Sequence, residues 1–173
     1  MDKPKIICII GESGSGKSLI AGYIEQVYGY KPIESRTTRP PRTPDEDGHT
    51  FVTDAEFDMY KVADMIAFTE FGGYRYCCLK KDVNPKSIYV IDEHGYNYLK
   101  ALFTDIYLIY SLRVHRDYKD RLMTAGRKRV VRDRGKFNMQ DTEFDWNVYN
   151  EGGDIGVRLN SVDMFIQEKG LAV

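Results

Sequence analysis

Gly11-Glu12-Ser13-Gly14-Ser15-Gly16-Lys17-Ser18 is the stretch on which the fold turns. Its spacing, G-x-x-x-x-G-K-[ST], is that of a phosphate-binding loop. Small residues let backbone N–H groups turn inward around a polyphosphate, Lys17 reaches the terminal phosphates, and Ser18 offers a hydroxyl to Mg²⁺. The flanks agree. Lys5-Ile6-Ile7-Cys8-Ile9-Ile10 is a short β-branched apolar run, which predicts a buried parallel strand. After Ser18 the apolar residues Leu19, Ile20, Tyr23, Ile24 and Val27 recur at helical spacing, with a stop at Gly29. The helix start adds unpaired N–H donors and a positive dipole end where an anion must sit.

A chain of 173 residues is long enough for one domain with a proper core. With 42 % hydrophobic and 29 % charged residues it has ordinary globular composition, and no apolar run approaches the roughly 20 residues of a membrane span. No membrane partner is expected. The charged start Met1-Asp2-Lys3-Pro4-Lys5 leads into an apolar segment too short for a signal peptide. Cys8, Cys77 and Cys78 are too few and too badly spaced for a disulfide framework or a four-ligand zinc site, so a cytoplasmic location is expected. A net charge of −1 argues against bulk binding to nucleic acid, although a local basic cluster exists. The oligomeric state is left open.

Past Lys31-Pro32-Ile33-Glu34, three prolines and three arginines in Ser35-Arg36-Thr37-Thr38-Arg39-Pro40-Pro41-Arg42-Thr43-Pro44 forbid a helix. A stiff loop that presents Arg39 and Arg42 suits a phosphate, while a solvated basic loop or a proline-rich recognition segment is the plainer reading. Asp64 to Tyr76 reads as two strands joined at Gly72-Gly73. Ser87-Ile88-Tyr89-Val90-Ile91-Asp92 is a buried strand that delivers a carboxylate at its C-terminal end, as a metal-side group or as a helix cap. A helix carrying Tyr98, Leu99 and Leu102 follows, then a strand over Ile106–Tyr110 and an amphipathic helix over Val114–Met123. Strands alternating with helices predict an α/β fold whose parallel sheet is covered on both faces. From Arg121 to Lys136 there are seven basic residues and one acid, between Gly126 and Gly135 as hinges. Such a run fits a nucleic-acid patch, a solvated helix face, or a lid whose arginines close over a triphosphate. Asp145–Asn150 reads as the last strand, and Val157, Leu159, Val162, Phe165 and Ile166 as a final helix.

Gly11–Ser18, Ser35–Arg42, Glu46-Asp47-Gly48 and Phe51-Val52-Thr53-Asp54-Ala55-Glu56-Phe57 together resemble the guanylate kinase family. The resemblance implies a P-loop three-layer α/β fold with a parallel sheet, a small β-rich acceptor-binding insertion and a basic lid. In this chain the core would be about 1–34 and 84–173, the insertion about 35–83 and the lid about 121–140. It implies Mg²⁺ and ATP at Glu12, Ser13, Gly14, Ser15, Gly16, Lys17 and Ser18, with Ser18 and Asp92 on the metal side and Asp92, between metal and acceptor, also binding the acceptor. Ser35 would lie near the acceptor's base, and Arg39, Arg42 and Tyr76 would hold its phosphate. Lys17, Arg39, Arg129 and Arg132 would act in the transfer, with Arg121 as a further lid arginine. Asn150 matches an asparagine near the adenine, or else is a turn residue.

Three positions depart from the family. The tyrosine that the resemblance implies after Arg42 is missing, leaving His49 and Phe51, so that contact is lost or made by His49. Where family members carry a base-reading glutamate, this chain has Ala67; Glu70 lies three residues on, facing the other side of a strand unless the alignment is shifted. A base-reading serine is replaced by Cys78. Phosphate clamps therefore persist while the base reader does not, which relaxes or redirects base choice more than it harms transfer. The activity implied is transfer from ATP to GMP or dGMP, with small nucleotides as partners. Another nucleotide, a sugar phosphate, or a protein-binding module without catalysis are the alternatives.

Overall fold

The computed structural model describes residues 2–152 and 154–172. The strand expected before the glycine loop is β1 (Lys5–Ile10), and Ile6, Cys8 and Ile10 face one core while Ile7 and Ile9 face another. From Ile6 to Ile10 the run is apolar at every position and has no solvent face, so β1 must lie inside a sheet covered on both sides. It does: β1 pairs in parallel with β7 (Lys86–Ile91) on one side and β8 (Leu108–His115) on the other. The sheet is completed by β2 (Lys31–Pro32) beyond β7 and β9 (Trp146–Tyr149) beyond β8, giving the order β2-β7-β1-β8-β9, all parallel. On one face lie α1 (Lys17–Tyr28) and α6 (Ile155–Glu168), which bury Ile20, Ile24, Val162, Phe165 and Ile166. The other face is covered by α3 (Glu93–Phe103) through Tyr96, Leu99 and Phe103. This is a three-layer α/β architecture.

A second sheet of four strands grows from one end of the first. Its order is β4-β3-β6-β5, from β3 (Ser35–Thr37), β4 (His49–Phe51), β5 (Met65–Phe71) and β6 (Tyr74–Leu79). Gly72 and Gly73 take φ of 62° and 83°, so the β5–β6 hairpin turns on the glycine pair that alone tolerates two left-handed residues in succession. A capping box at Thr53 and Glu56 opens α2 (Asp54–Phe57) after β4. Arg36 pairs with Asp82, which ties β3 to the turn after β6.

One expectation fails in register. The third long strand is not Ile106–Tyr110 but Leu108–His115, and the following helix, α4 (Tyr118–Ala125), starts four residues later than the pattern suggested. In Ser111-Leu112-Arg113-Val114-His115, Leu112 and Val114 enter the core while polar residues alternate with them. That is period two, and the polar residues interrupted the apolar run on which the shorter strand was read. Asp117, which accepts from Lys119 N–H at 2.8 Å, caps α4. The basic stretch continues as α5 (Arg127–Arg132). No helix among the described residues is long and apolar enough to cross a membrane. Cys8, Cys77 and Cys78 are free and buried.

Candidate active site

The C-terminal ends of β1 and β7 open onto a cleft of ≈ 410 Å³. Gly11–Ser18 forms one wall and β3–β6 the other, and α5 reaches across with Arg129, Arg132 and Asp133. Ligands of open α/β sheets sit in such a crevice beyond the strand ends.

The glycine loop is held in shape by its neighbours. Gly16 has φ 105°, and a Cβ there would come within 2.6 Å of Asn150 Nδ2, so no other residue fits. Asn150, 6 % exposed, donates from that nitrogen to Ser15 O at 2.7 Å. It buttresses the loop. Lys17 Nζ donates to Glu12 O at 2.9 Å, and burial pushes its ammonium down to about 8 despite the opposing attraction of Asp133. Ser18 lines the cleft.

Behind the loop, two buried arginines converge on one carboxylate. Arg121 Nη2 lies 3.3 Å from Glu12 Oε1 and Arg113 Nη2 4.0 Å from Glu12 Oε2. Arg121 Nε and Nη1, Arg113 Nη1 and Arg129 Nε are buried without a hydrogen-bond partner among the described residues. Buried guanidinium donors left open mark a place prepared for an anion. Arg113 stacks over Phe137 at 5.1 Å. The sequence pattern leaves it between the strand over Ile106–Tyr110 and the helix from Val114, and a period-two reading of β8 finds it.

On the opposite wall the arginine loop is closed by its own acid. Glu46 accepts from Arg39 Nη2 at 2.7 Å and Nη1 at 3.1 Å, from Arg42 Nη1 at 3.1 Å and from the Arg42 backbone N–H at 2.5 Å. These bonds, Arg39 foremost, hold its carboxyl down to about 2. Arg39 is buried, stands 5.4 Å over the Phe51 ring and does not line the cleft; Arg42 does. Phe51 is thus a support for Arg39 and not part of the cleft wall.

Ser35, His49 and Tyr76 do line the cleft. Ser35 Oγ and His49 Nδ1 share a hydrogen bond at 2.6 Å, and the His49 ring lies 6.0 Å edge-on to Tyr76. Burial, with Arg39 adding to it, pushes His49 below the ordinary imidazole value, so it is neutral at pH 7. Glu70 is exposed, pairs across the hairpin with Arg75 and points away from the cleft. Ala67 and Cys78 are 1 % and 0 % exposed and pack in the core under the second sheet, where the Cys78 thiol donates to Glu34 O at 3.6 Å. In their stead Thr69 faces the cleft, its Oγ1 donating to Asp92 Oδ2 at 3.0 Å.

Asp92 follows β7 directly and caps α3, where its Oδ1 accepts the Gly95 N–H at 2.8 Å. The cap and the cleft-facing position are one arrangement, since each carboxylate oxygen has a second lone pair. Ser18 and Asp92 together are a hard oxygen pair suited to Mg²⁺.

The sequence matches no protein-family model and no curated protein. Among solved structures, guanylate kinase from Anaplasma phagocytophilum shares the fold with a TM-score of 0.67 at 15 % identity, over 98 % of this chain and 87 % of that one. A sugar kinase from a Janibacter species, in an unliganded structure, is similar with a TM-score of 0.50 at 10 % identity, over 98 % of this chain and 96 % of that one. At such identities the likeness is one of fold: a P-loop kinase-like α/β architecture.

Proposed function

We propose that this chain transfers the γ-phosphoryl group of ATP to the phosphate of a small acceptor, a nucleoside monophosphate in the manner of guanylate kinases. The observation that carries the reading is the pairing of a backbone N–H cradle and an arginine loop across one cleft, with Asp92 between them. Gly11–Ser18 holds the donor's phosphates, while Lys17, Arg129 and Arg132 set positive charge around the group in flight. Arg42, Tyr76 and His49 hold the acceptor's phosphate; Arg39 shapes their loop from behind through Glu46. An oxygen of that phosphate attacks the γ-phosphorus as the bond to the β-phosphate oxygen breaks, and ADP leaves. No general base is required, because the nucleophile is already an anion; alignment and charge are what the protein supplies. Ser18 and Asp92 would hold Mg²⁺, which would neutralise phosphate charge.

The buried positions of Ala67 and Cys78 favour a second reading within the same chemistry, in which another nucleotide or a sugar phosphate is the acceptor. The polar groups that would meet its non-phosphate part are Ser35, His49, Thr69 and Asp92. A coupled ADP-release assay across nucleoside monophosphates and sugar phosphates tests both readings. Acceptor-dependent ADP release that disappears in Lys17→Ala is expected, and the preferred acceptor decides between them. If MgATP does not bind, the reading fails; if it binds without any acceptor being turned over, a binding module replaces the enzyme.

A further inference from the structure

The single acid of the basic stretch, Asp133, caps the end of α5 and is 1 % exposed. Its Oδ2 accepts the Ser13 backbone N–H at 2.6 Å, across 120 residues of sequence. That N–H belongs to the glycine loop whose inward-turned donors receive phosphate oxygens. The other oxygen, Oδ1, accepts from Arg132 Nε and Nη2 at 3.3 and 3.2 Å, while Arg132 Nη2 also donates to Ser13 Oγ at 3.2 Å. Arg132 in turn lies 4.6 Å over Phe71 of the hairpin, and a Cβ on Gly72 would come within 2.9 Å of its Cδ. The carboxylate therefore sits where the two walls of the cleft meet, with an anion's hydrogen bonds and an anion's counter-ion. A buried carboxylate needs such partners, and here it takes them from the site itself.

We infer that Asp133 is a tethered occupant of the seat for the donor's terminal phosphate, which a triphosphate must displace in order to bind. The inference rests on reading Gly11–Ser18 as the donor cradle. In the ligand-free protein the carboxylate satisfies the Ser13 N–H and engages Arg132, drawing α5 onto the loop and the hairpin together. A ligand whose chain reaches Ser13 expels it, and the same displacement frees Arg132 for the incoming phosphate. A chain one phosphate shorter leaves Asp133 in place. After transfer, the returning carboxylate reclaims the seat that the γ-phosphate has vacated, and triphosphate rebinding must again compete with it.

An occupied seat lowers apparent affinity by the fraction of time that it is free, so about 90 % occupancy weakens binding about tenfold. Calorimetric titration of Asp133→Asn, with Asp133→Ala as a second variant, tests this with ATP, ADP and tripolyphosphate, the last having no base. Both variants are expected to bind ATP and tripolyphosphate about tenfold more tightly than the unaltered protein, and ADP less than threefold more tightly. Equal gains for ATP and ADP would mean a general charge effect, and unchanged or weaker ATP binding would mean a structural carboxylate; either overturns the inference. Should neither variant fold, amide hydrogen exchange on the unaltered protein decides: Ser13 N–H is protected without ligand, and free exchange there overturns the inference. If the unaltered protein itself binds no MgATP, the donor-cradle reading fails; if it binds and Asp133→Asn is no tighter, only the present inference does.

Discussion

On the proposed reading both walls of the cleft hold an anion, with opposite materials. The Gly11–Ser18 wall would use backbone N–H groups and one ammonium, the Ser35–Arg42 wall the guanidinium of Arg42 with Arg39 braced behind it, and each has a carboxylate of its own chain in contact with its donors. Glu46 is seven residues from Arg39 and four from Arg42, so it closes a local loop and fixes the arginines in place before any ligand arrives. Asp133 is 120 residues from Ser13 and belongs to another element, so its contact ties α5 to the loop. On the inference drawn for Asp133, a local carboxylate pre-organises and a remote one competes. The same pairing of acid and donor thus has opposite consequences, depending on whether the acid can leave without unravelling what it touches.

Removing a side chain from each wall breaks the comparison at different points. Lys17→Ala takes away the only side-chain cation within the glycine loop and is expected to lower kcat for phosphoryl transfer about a thousandfold, read by coupled ADP release. Thermal stability should change little, because the Lys17 ammonium is itself penalised by burial. Glu46→Gln should do the reverse. It leaves Arg39, 5 % exposed, without a counter-ion, a change that costs about 3 kcal/mol in a buried pair and lowers Tm by several degrees. Its pH arm has a definite sign. The Glu46 carboxyl is held down to about 2 from an ordinary value near 4.5, so its contribution is present above pH 4.5 and is lost as pH falls from there towards 2. Melting curves of the unaltered protein should show that extra acid sensitivity, and those of Glu46→Gln should lack it. Acceptor KM should rise in this variant, in contrast to the tighter ATP binding of Asp133→Asn.

The difference between the walls also governs what could be read without a structure. β1 with its glycine loop was legible because both signals are local: a run of apolar residues, and small residues at fixed spacing. The β5–β6 hairpin was legible for the same reason, through Gly72-Gly73. Arg39 and Arg42 were recognisable as a pair on a stiff loop, but their capture by Glu46 depends on a turn over residues 40–46 that residue types alone do not specify. Asp133 was visible as the one acid in a basic run, yet its target lies 120 residues away and no periodicity connects them. Arg113 falls in the gap between the strand read over Ile106–Tyr110 and the helix read from Val114, so the alternation that places it in β8 is cut on both sides. The fates of Ala67, Cys78 and Thr69 turn on which face of β5 and β6 meets the cleft, and the register irregularity between Met65 and Ala67 falls at that point. Local chemistry is written in the chain; which groups meet across the cleft is decided by tertiary packing.

A smaller effect sharpens the acceptor side. His49 is neutral at pH 7, shares its hydrogen bond with Ser35 and lines the cleft with Arg42 and Tyr76, and the charged groups acting on it are Arg39, Arg42, Glu46 and Glu34. Below the ordinary imidazole range it gains a proton, which on the proposed reading adds a cation beside the acceptor phosphate. The acceptor phosphate itself titrates at about pH 6, so the measurement is the ratio of acceptor KM in His49→Gln to that in the unaltered protein, which is expected to rise as pH falls. A ratio that does not change with pH would place the acceptor phosphate away from His49 and leave Arg42 and Tyr76 as its holders.

On the donor side the matching effect is a fraction of a proton. Lys17 in the free protein is pushed down to about 8 by burial, with Arg129 and Arg113 adding to the push while Asp133 and Glu12 oppose it. Above pH 8 most of the free protein therefore carries a neutral amine at this position. A polyphosphate placed against it favours the ammonium, so binding must draw a proton from solution. Calorimetry of ATP binding at pH 8.5 in two buffers of different ionisation enthalpy should then show an uptake of about half a proton or more, falling towards zero at pH 6.5, where Lys17 is already charged. Lys17→Met should abolish the buffer dependence along with most of the affinity. Asp133→Asn should enlarge the uptake, because the carboxylate that partly restores the Lys17 proton in the free protein is gone. An uptake identical in both proteins would mean that Asp133 and Lys17 do not sense one another, and the acid's place in the donor seat would lose its electrostatic support.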